Sequence, residues 1–250
     1  MNIEALSDAT LLDIWERCQH LHPLDQGIAL LAAGCPDSSW ETLAGLSIGR
    51  RDELLLRLRA ATLGPWLNGH GHCPGCTEAV EFQVNTSDLC ALQPNQNTVA
   101  HWTLDLGTIR LEARLPDSTD LAAIAGCPDP LQARRLLARR CISQADCGKA
   151  PWDAEAMSEE IMAALSAQIA KADPLADIEL QLHCPSCGRQ WQASFDIVSF
   201  FWVEISAHVD RLLRGIHLLA RAYGWGESEI LSLTPRRRQH YIDMVVQWTC

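Results

Sequence analysis

The chain has 250 residues, 48% of them hydrophobic, enough apolar material for one elaborated domain or two small ones and too much for a disordered tail. Its 20 basic and 31 acidic side chains leave a net charge of −11, which repels a polyanion unless the basic residues gather on one face. No apolar run approaches the roughly 20 residues that cross a bilayer, and the N-terminal MNIEALSDATLLDIWERC lacks the basic flank and apolar core of a signal peptide, so a soluble, cytoplasmic chain with no membrane partner is expected.

Residues 1–69 read as a helical segment. Ser7 or Asp8 caps a helix with Leu11, Ile14, Trp15 and Cys18 on one face. His22-Pro-Leu-Asp opens a second helix through Ile28 and Leu31, ending near Gly34-Cys-Pro. A third, from Gly49 to Arg59, presents Leu54, Leu55 and Leu58, and its arginines read as a solvated face. Residues 70–90 hold Gly71-His-Cys-Pro-Gly-Cys-Thr and then an alternating strand with Val80, Phe82 and Val84.

Residues 91–176 form an insert. Gln93-Pro-Asn-Gln-Asn marks a turn, after which His101 to Leu106 and Thr108 to Leu115 alternate across Gly107 as a β-hairpin that ends at Pro116. Asp117 caps a short helix, Leu121 to Ala125, and Leu131 to Arg140 reads as a basic amphipathic helix. A further helix from about Asp153 to Lys171 stops before Asp173-Pro174.

Residues 177–196 repeat the earlier motif. A strand, Ile178 to His183, enters Leu182-His-Cys-Pro-Ser-Cys-Gly, and Trp191, Ala193 and Phe195 follow in the register of Val80, Phe82 and Val84. In residues 197–250, Val198, Trp202, Ile205, Val209, Leu212, Ile216, Leu219 and Tyr223 alternate in steps of four and three, the pattern of one long amphipathic helix. Gly224 and Gly226 break it, and Thr234-Pro235 starts a final helix. Such a stripe must be covered, either by the N-terminal helices of the same chain or by a partner helix, in which case Trp202, Ile205, Val209, Leu212, Ile216, Leu219 and Tyr223 are the partner-binding residues. The expected fold is α+β and mainly helical: a zinc-ribbon-like β core made by two C-P-x-C knuckles, with flanking helical segments and an inserted hairpin plus helices, as one composite domain.

Cysteine spacing carries the chemistry. Of eleven cysteines, Cys18, Cys35, Cys90, Cys127, Cys141, Cys147 and Cys250 show no paired spacing and read as small core residues of a reduced compartment. The other four, Cys73, Cys76, Cys184 and Cys187, form two C-x-x-C pairs. Each pair offers two thiolates from one tight turn, and a tetrahedral zinc needs two such turns to complete a four-sulfur shell. Pro74 and Pro185 stiffen the turns, and Gly75 and Gly188 are read as relieving strain near them. More than a hundred residues separate the pairs, yet closure entropy grows only logarithmically with loop length, so one shared structural Zn2+ is expected. His70, His72 and His183 read as exposed strand residues rather than ligands.

With four protein ligands such a zinc has no open position for substrate, and no phosphate-cradling glycine loop, H-E-x-x-H or G-x-S-x-G occurs, so no enzyme is expected. Asp25, Asp120 and Asp196 read as residues at helix starts. Two alternatives remain open: a zinc ribbon that binds nucleic acid through its arginine clusters, and a thiol oxidoreductase.

The segment from His217 to Tyr241, HLLARAYGWGESEILSLTPRRRQHY, resembles the ending of T4-type phage baseplate hub assembly proteins and their relatives in phage-like contractile tail clusters. Phe195-Asp-Ile-Val-Ser-Phe-Phe looks like a further piece of it. The stretch from Leu111 to Leu121 resembles an R-x-P-T-x-x-D-L-like signal of tail assembly chaperones, with Leu115 intervening and Asp117 in place of Thr. The resemblance implies a non-enzymatic accessory protein or chaperone in assembly of the baseplate or hub of a contractile tail or injection system, with hub, spike or tape-measure components as partners.

Overall fold

The computed structural model describes residues 1–92, 101–106, 109–146 and 157–248. The N-terminal helices are α1 (Asp8–Cys18), α2 (Pro23–Gly34), α3 (Trp40–Ala44) and α4 (Ile48–Leu63). Ser7 caps α1 by accepting the Thr10 N–H, and the His22 ring nitrogen does the same for Leu24 at α2. The short α3, capped by Ser39, has no counterpart in the sequence reading; five residues are too few to show a period.

β1 (Trp66–His72) and β2 (Ala79–Asn85) form an antiparallel hairpin, followed by α5 (Thr86–Cys90). Thus the stretch before the first knuckle is not helical throughout, since a strand occupies its end. Gly69 and Gly71 hid that strand by interrupting its alternation.

The insert carries β3 (His101–Leu106), β4 (Ile109–Arg114), α6 (Ser118–Ile124), α7 (Pro130–Cys141), β5 (Ile142–Asp146) and α8 (Glu159–Ala172). β3 and β4 pair as expected, while the expected turns at Gly107 and at Gln93-Pro-Asn-Gln-Asn lie outside the described residues, as does the expected beginning of α8 at Asp153. β5 adds a third strand beside β4. Leu111, Ala113, Ala138, Met157, Ile161, Met162 and Leu165 give this part its own apolar core.

After a 3-10 turn (Pro174–Ala176), β6 (Ile178–His183) and β7 (Gln190–Phe195) make a second hairpin, and α9 (Ile197–Tyr223), α10 (Glu227–Ser232) and α11 (Pro235–Trp248) finish the described chain. α9 is the axis of the main core: α1, α2, α4, α10 and α11 all pack on it. Ile205, Val209 and Leu219 are wholly buried there, Leu212 and Ile216 nearly so, and Trp202 and Tyr223 pack against the same cluster. Of the two coverings the sequence allows for the apolar stripe, the chain's own helices supply the one observed, with Trp202, Ile205, Val209, Leu212, Ile216, Leu219 and Tyr223 packed in or against the main core. The main core is accordingly mainly helical, with Leu67 of β1, Ile178, Leu180 and Leu182 of β6 and Phe195 of β7 joining it. The two hairpins remain separate two-stranded sheets among the described residues.

The α4 arginines also depart from expectation. Arg51 and Arg59 are buried rather than solvated. Arg51 pairs with Asp52 at 2.7 Å and reaches Ser118, while Arg59 makes a bidentate pair with Glu204 of α9 at 2.8 and 2.5 Å. A planar guanidinium with fixed partners tolerates burial that a lone charge does not.

The repeated motif is larger than its sequence signature. Ser47 caps α4, a hairpin follows, and Asn85 caps α5; Ser158 caps α8, a hairpin follows, and Asp196 caps α9. Within the hairpins, Val80, Phe82 and Val84 stand opposite Gly71, Gly69 and Leu67, just as Trp191, Ala193 and Phe195 stand opposite Leu182, Leu180 and Ile178. The chain thus uses one unit twice: capped helix, strand, C-P-x-C turn, strand, capped helix.

Candidate metal centre

Each knuckle is the turn of a hairpin, closed by the same two backbone bonds. Cys73 N–H donates to the Glu78 carbonyl and Thr77 N–H to the Cys73 carbonyl, both at 2.9 Å. Cys184 N–H donates to Arg189 O at 2.8 Å and Gly188 N–H to Cys184 O at 2.9 Å. This fold-back requires a left-handed residue at the fifth position, filled by Gly188 (φ 74°) in one copy and by Thr77 (φ 60°) in the other. Gly75 has a different role from the expected relief of backbone strain. A Cβ there would stand 2.9 Å from the Arg189 Cδ, so its bare backbone lets the opposite knuckle approach.

The two turns meet tip to tip. Cys73 Sγ lies 3.6 Å from Cys187 Sγ, Cys76 Sγ lies 3.6 Å from Cys184 Sγ, and all four sulfurs fall within 4.8 Å of one another. The arrangement is crossed, with the first cysteine of each knuckle facing the second of the other. Cys73 and Cys184 are buried, Cys76 and Cys187 exposed. Val80 and Trp191, the matching positions of the two units, pack beneath the inner pair.

These distances decide between bond types. A disulfide needs about 2.05 Å between sulfurs, whereas a tetrahedron with metal–sulfur bonds of about 2.3 Å has edges of about 3.8 Å. The observed spacing fits the second. Electrostatics agree: the Cys76 backbone N–H, aimed at the Cys73 sulfur, holds that thiol down to about 6. Cys76, although the Glu78 backbone lowers its pKa, is pushed up to about 12 by the sulfurs of Cys187 and Cys184. Four thiols this close cannot all ionise unless a cation shares them. The residues fit a soft divalent metal, and with four protein sulfurs it would have no place for water or substrate.

His70, His72 and His183 lie exposed in β1 and β6, outside the cluster. The His72 ring instead contacts the Thr77 carbonyl at 3.2 Å. Of the unpaired cysteines, Cys18, Cys35 and Cys141 are buried, Cys90 and Cys127 half-buried, and all five are free thiols; Cys147 and Cys250 lie outside the described residues.

Sequence reasoning missed two polar clusters that hold the frame. Asp120, read only as a helix-start residue, is fully buried and receives both Arg114 nitrogens at 2.6 and 2.9 Å and Arg140 Nε at 2.8 Å. It also closes a capping box with Asp117. Asp8 accepts from His208 at 2.7 Å and from Arg238, joining α1, α9 and α11. The spacing of Arg114 and Asp120 was visible in the chaperone-like signal; nothing in sequence connects Asp8 to residues some two hundred positions away.

A family model described as T4 bacteriophage base plate protein matches residues 24–202. The chain belongs to that family. The base plate match spans both knuckles, the insert and the first turns of α9, while the segment from His217 to Tyr241 lies beyond it. No curated protein and no solved structure matches the chain. No helix among the described residues is long and apolar enough to cross a membrane.

Proposed function

We propose that this base plate family member is a non-enzymatic assembly factor for the baseplate or hub of a contractile phage tail or phage-like injection system, acting in the cytoplasm and stapled by one structural Zn2+. The observation that carries the reading is the family match, which includes all four cysteines and the insert between them. Cys73, Cys76, Cys184 and Cys187 would hold the metal in a zinc-ribbon-like pair of knuckles. Bound there, zinc supplies cross-linking free energy and no catalysis. The clamp fixes the ends of the insert, so that its three-stranded sheet and helices stand on a set base.

The arginine clusters do not favour the nucleic-acid alternative. In the clusters at Arg50/Arg51, Arg134/Arg135/Arg139/Arg140 and Arg236 to Arg238, the arginines Arg50, Arg51, Arg134, Arg140 and Arg238 are engaged by carboxylates of the same chain. Nor does local geometry favour thiol redox chemistry, since both C-P-x-C motifs turn between strands instead of opening a helix whose dipole activates a thiolate.

Affinity purification of the tagged protein from its own host, with mass spectrometry of co-purifying chains, tests the assembly role. Stoichiometric hub, spike or tape-measure components are expected. Recovery of nucleic acid, or of no tail protein, contradicts it. Coexpression supplies the chaperone test: a held tail component becomes more soluble, and unchanged solubility and elution for every candidate removes the holding role.

A further inference from the structure

The insert and the main core are packed separately. The apolar cluster around Leu111, Met162 and Leu165 shares no residue with the one around Leu55, Phe201 and Ile205. Ile48 and Leu115, buried where the two parts meet, belong to neither. What joins the parts is polar and gathers on the first turn of α4, where a helix start leaves backbone amides unpaired. Ile48 N–H donates to the Pro116 carbonyl at 3.1 Å, and Gly49 N–H donates to Asp173 Oδ2 at 2.8 Å. Arg50 N–H is met within α4 by its cap, Ser47 Oγ. Ser47 also bridges to Asp117, and buried Arg51 donates to Ser118 Oγ at 3.3 Å.

Two separate passes of the insert, the exit from β4 and the end of α8, are thus seated on one helix start, whose dipole favours the Asp173 carboxylate. Gly49 permits the approach: a Cβ there would collide with that carboxylate and stand 3.0 Å from the Ala176 nitrogen. Just past Asp173 the chain is anchored again, because Leu175 is wholly buried in the main core. Asp173 itself has already left the helix, with φ −137° and ψ 66°, so the bend between the two parts falls on this residue. Hydrogen bonds of this kind exchange for bonds to water at small net cost, whereas parting an apolar core is expensive. A joint of hydrogen bonds therefore opens at lower free energy than either core melts.

We infer that the first turn of α4 is a docking joint from which the insert opens as a unit, both cores staying folded, with Asp173 as the pivot. On opening, the Ile48 and Gly49 amides pass from the insert to water, α6 leaves its place beside α2, and Ile48 and Leu115 are uncovered. The device goes beyond the assembly reading and depends on neither the metal nor the identity of a partner.

Hydrogen exchange of the intact chain in a series of sub-denaturing urea concentrations, read by mass spectrometry on overlapping peptides, tests it. The Ile48 and Gly49 amides are expected to exchange at least about tenfold faster than those of Leu54 to Leu58 and of Leu111 and Ala113, and to quicken with urea while these core amides hold. Gly49→Ala, which drives Asp173 off the helix start, is expected to raise the first-turn rate at least about tenfold further with both cores still protected. If that variant misfolds, Asp173→Ala removes the same bond, and the wild-type urea series decides by itself. Exchange at Ile48 and Gly49 that ignores urea is fraying of the helix end alone and overturns the inference. Exchange in step with the core amides, or protection lost from both cores in a folded variant, overturns it as well. Zinc content and tail-protein co-purification are read in separate measurements, so those readings fail separately from this one.

Discussion

Cys73 and Cys187 come from hairpins more than a hundred residues apart, and their sulfurs lie 3.6 Å apart at the tips of two matching turns. Together with the contact of Cys76 and Cys184, also at 3.6 Å, this contact joins the two copies of the unit at their tips. Structural zinc in four-ligand sites supplies about 10 kcal/mol or more of folding free energy, so Cys73→Ser or Cys187→Ser is expected to lower the melting temperature by more than about 10 °C. Thermal unfolding followed by circular dichroism checks this. A soluble Cys73→Ser protein with wild-type melting contradicts the clamp.

Thr77 holds a left-handed backbone conformation that its counterpart Gly188 adopts without steric cost. A β-branched residue there is strained by about 1–3 kcal/mol, partly offset in Thr77→Gly by the extra freedom of glycine in the unfolded chain. Thr77→Gly is expected to stabilise by about 1 kcal/mol in urea unfolding. Gly188→Thr is expected to destabilise by a similar amount, and the opposite pair of signs would show that the knuckles are not equivalent.

The helical stripe on α9 makes a sharp distinction between two neighbouring valines. Val209 is fully buried and Val203 is 67% exposed. Ile205→Ala or Leu219→Ala is expected to cost about 2–5 kcal/mol by leaving a cavity in the main core, while Val203→Ser stays within about 0.5 kcal/mol. Equal, small effects at all three positions would return the stripe to the surface.

Two carboxylates, half-buried Asp8 and buried Asp52, respond to pH in opposite directions. Asp8 is held down to about 2, first by the hydrogen bond from His208, so its contribution to stability is complete above the ordinary carboxylate range and is lost as pH falls from about 4 toward 2. Burial pushes Asp52 up to about 6 despite Arg51, so it destabilises the fold above about pH 6, and that cost is relieved as pH falls from about 6 toward 4. The stability gap between wild type and Asp8→Asn, from urea titrations, should therefore be full at pH 7 and shrink below pH 4. A gap that stays constant to pH 2 would remove Asp8 from the link between α1, α9 and α11.

Asp120 sits at 0% exposure between Arg114 and Arg140. Removing its charge leaves two guanidinium groups facing a buried neutral side chain. Asp120→Ala is expected to cost about 3–5 kcal/mol and to loosen the contact of α6 with β4. Hydrogen exchange in residues 109–124 reads that loosening, and unchanged protection would mean that the cluster is dispensable.

Legibility followed the range of the physics. The long α9 stripe and the C-x-x-C pairs were plain because their periods, 3.6 residues and three, are local. β1 was hidden because Gly69 and Gly71 erase the alternation that marks a strand, and the burial of Arg51 and Arg59 was hidden because their partners' positions are set only by tertiary packing. The stripe's destination was equally invisible: Ile205 looks the same in sequence whether α1 or a foreign helix covers it. The repetition of the capped helices around each hairpin is not legible because Asp196 shares chemistry, not identity, with Asn85, and the serine caps at 47 and 158 are too common a residue to mark a pattern.

Native mass spectrometry of the purified chain, followed by the same measurement on each single cysteine-to-serine variant at positions 73, 76, 184 and 187, tests the central arrangement most directly. One zinc per chain, lost or greatly weakened in all four variants, is the predicted result. A metal-free wild-type chain whose four thiols are freely alkylated while the protein remains folded would contradict it.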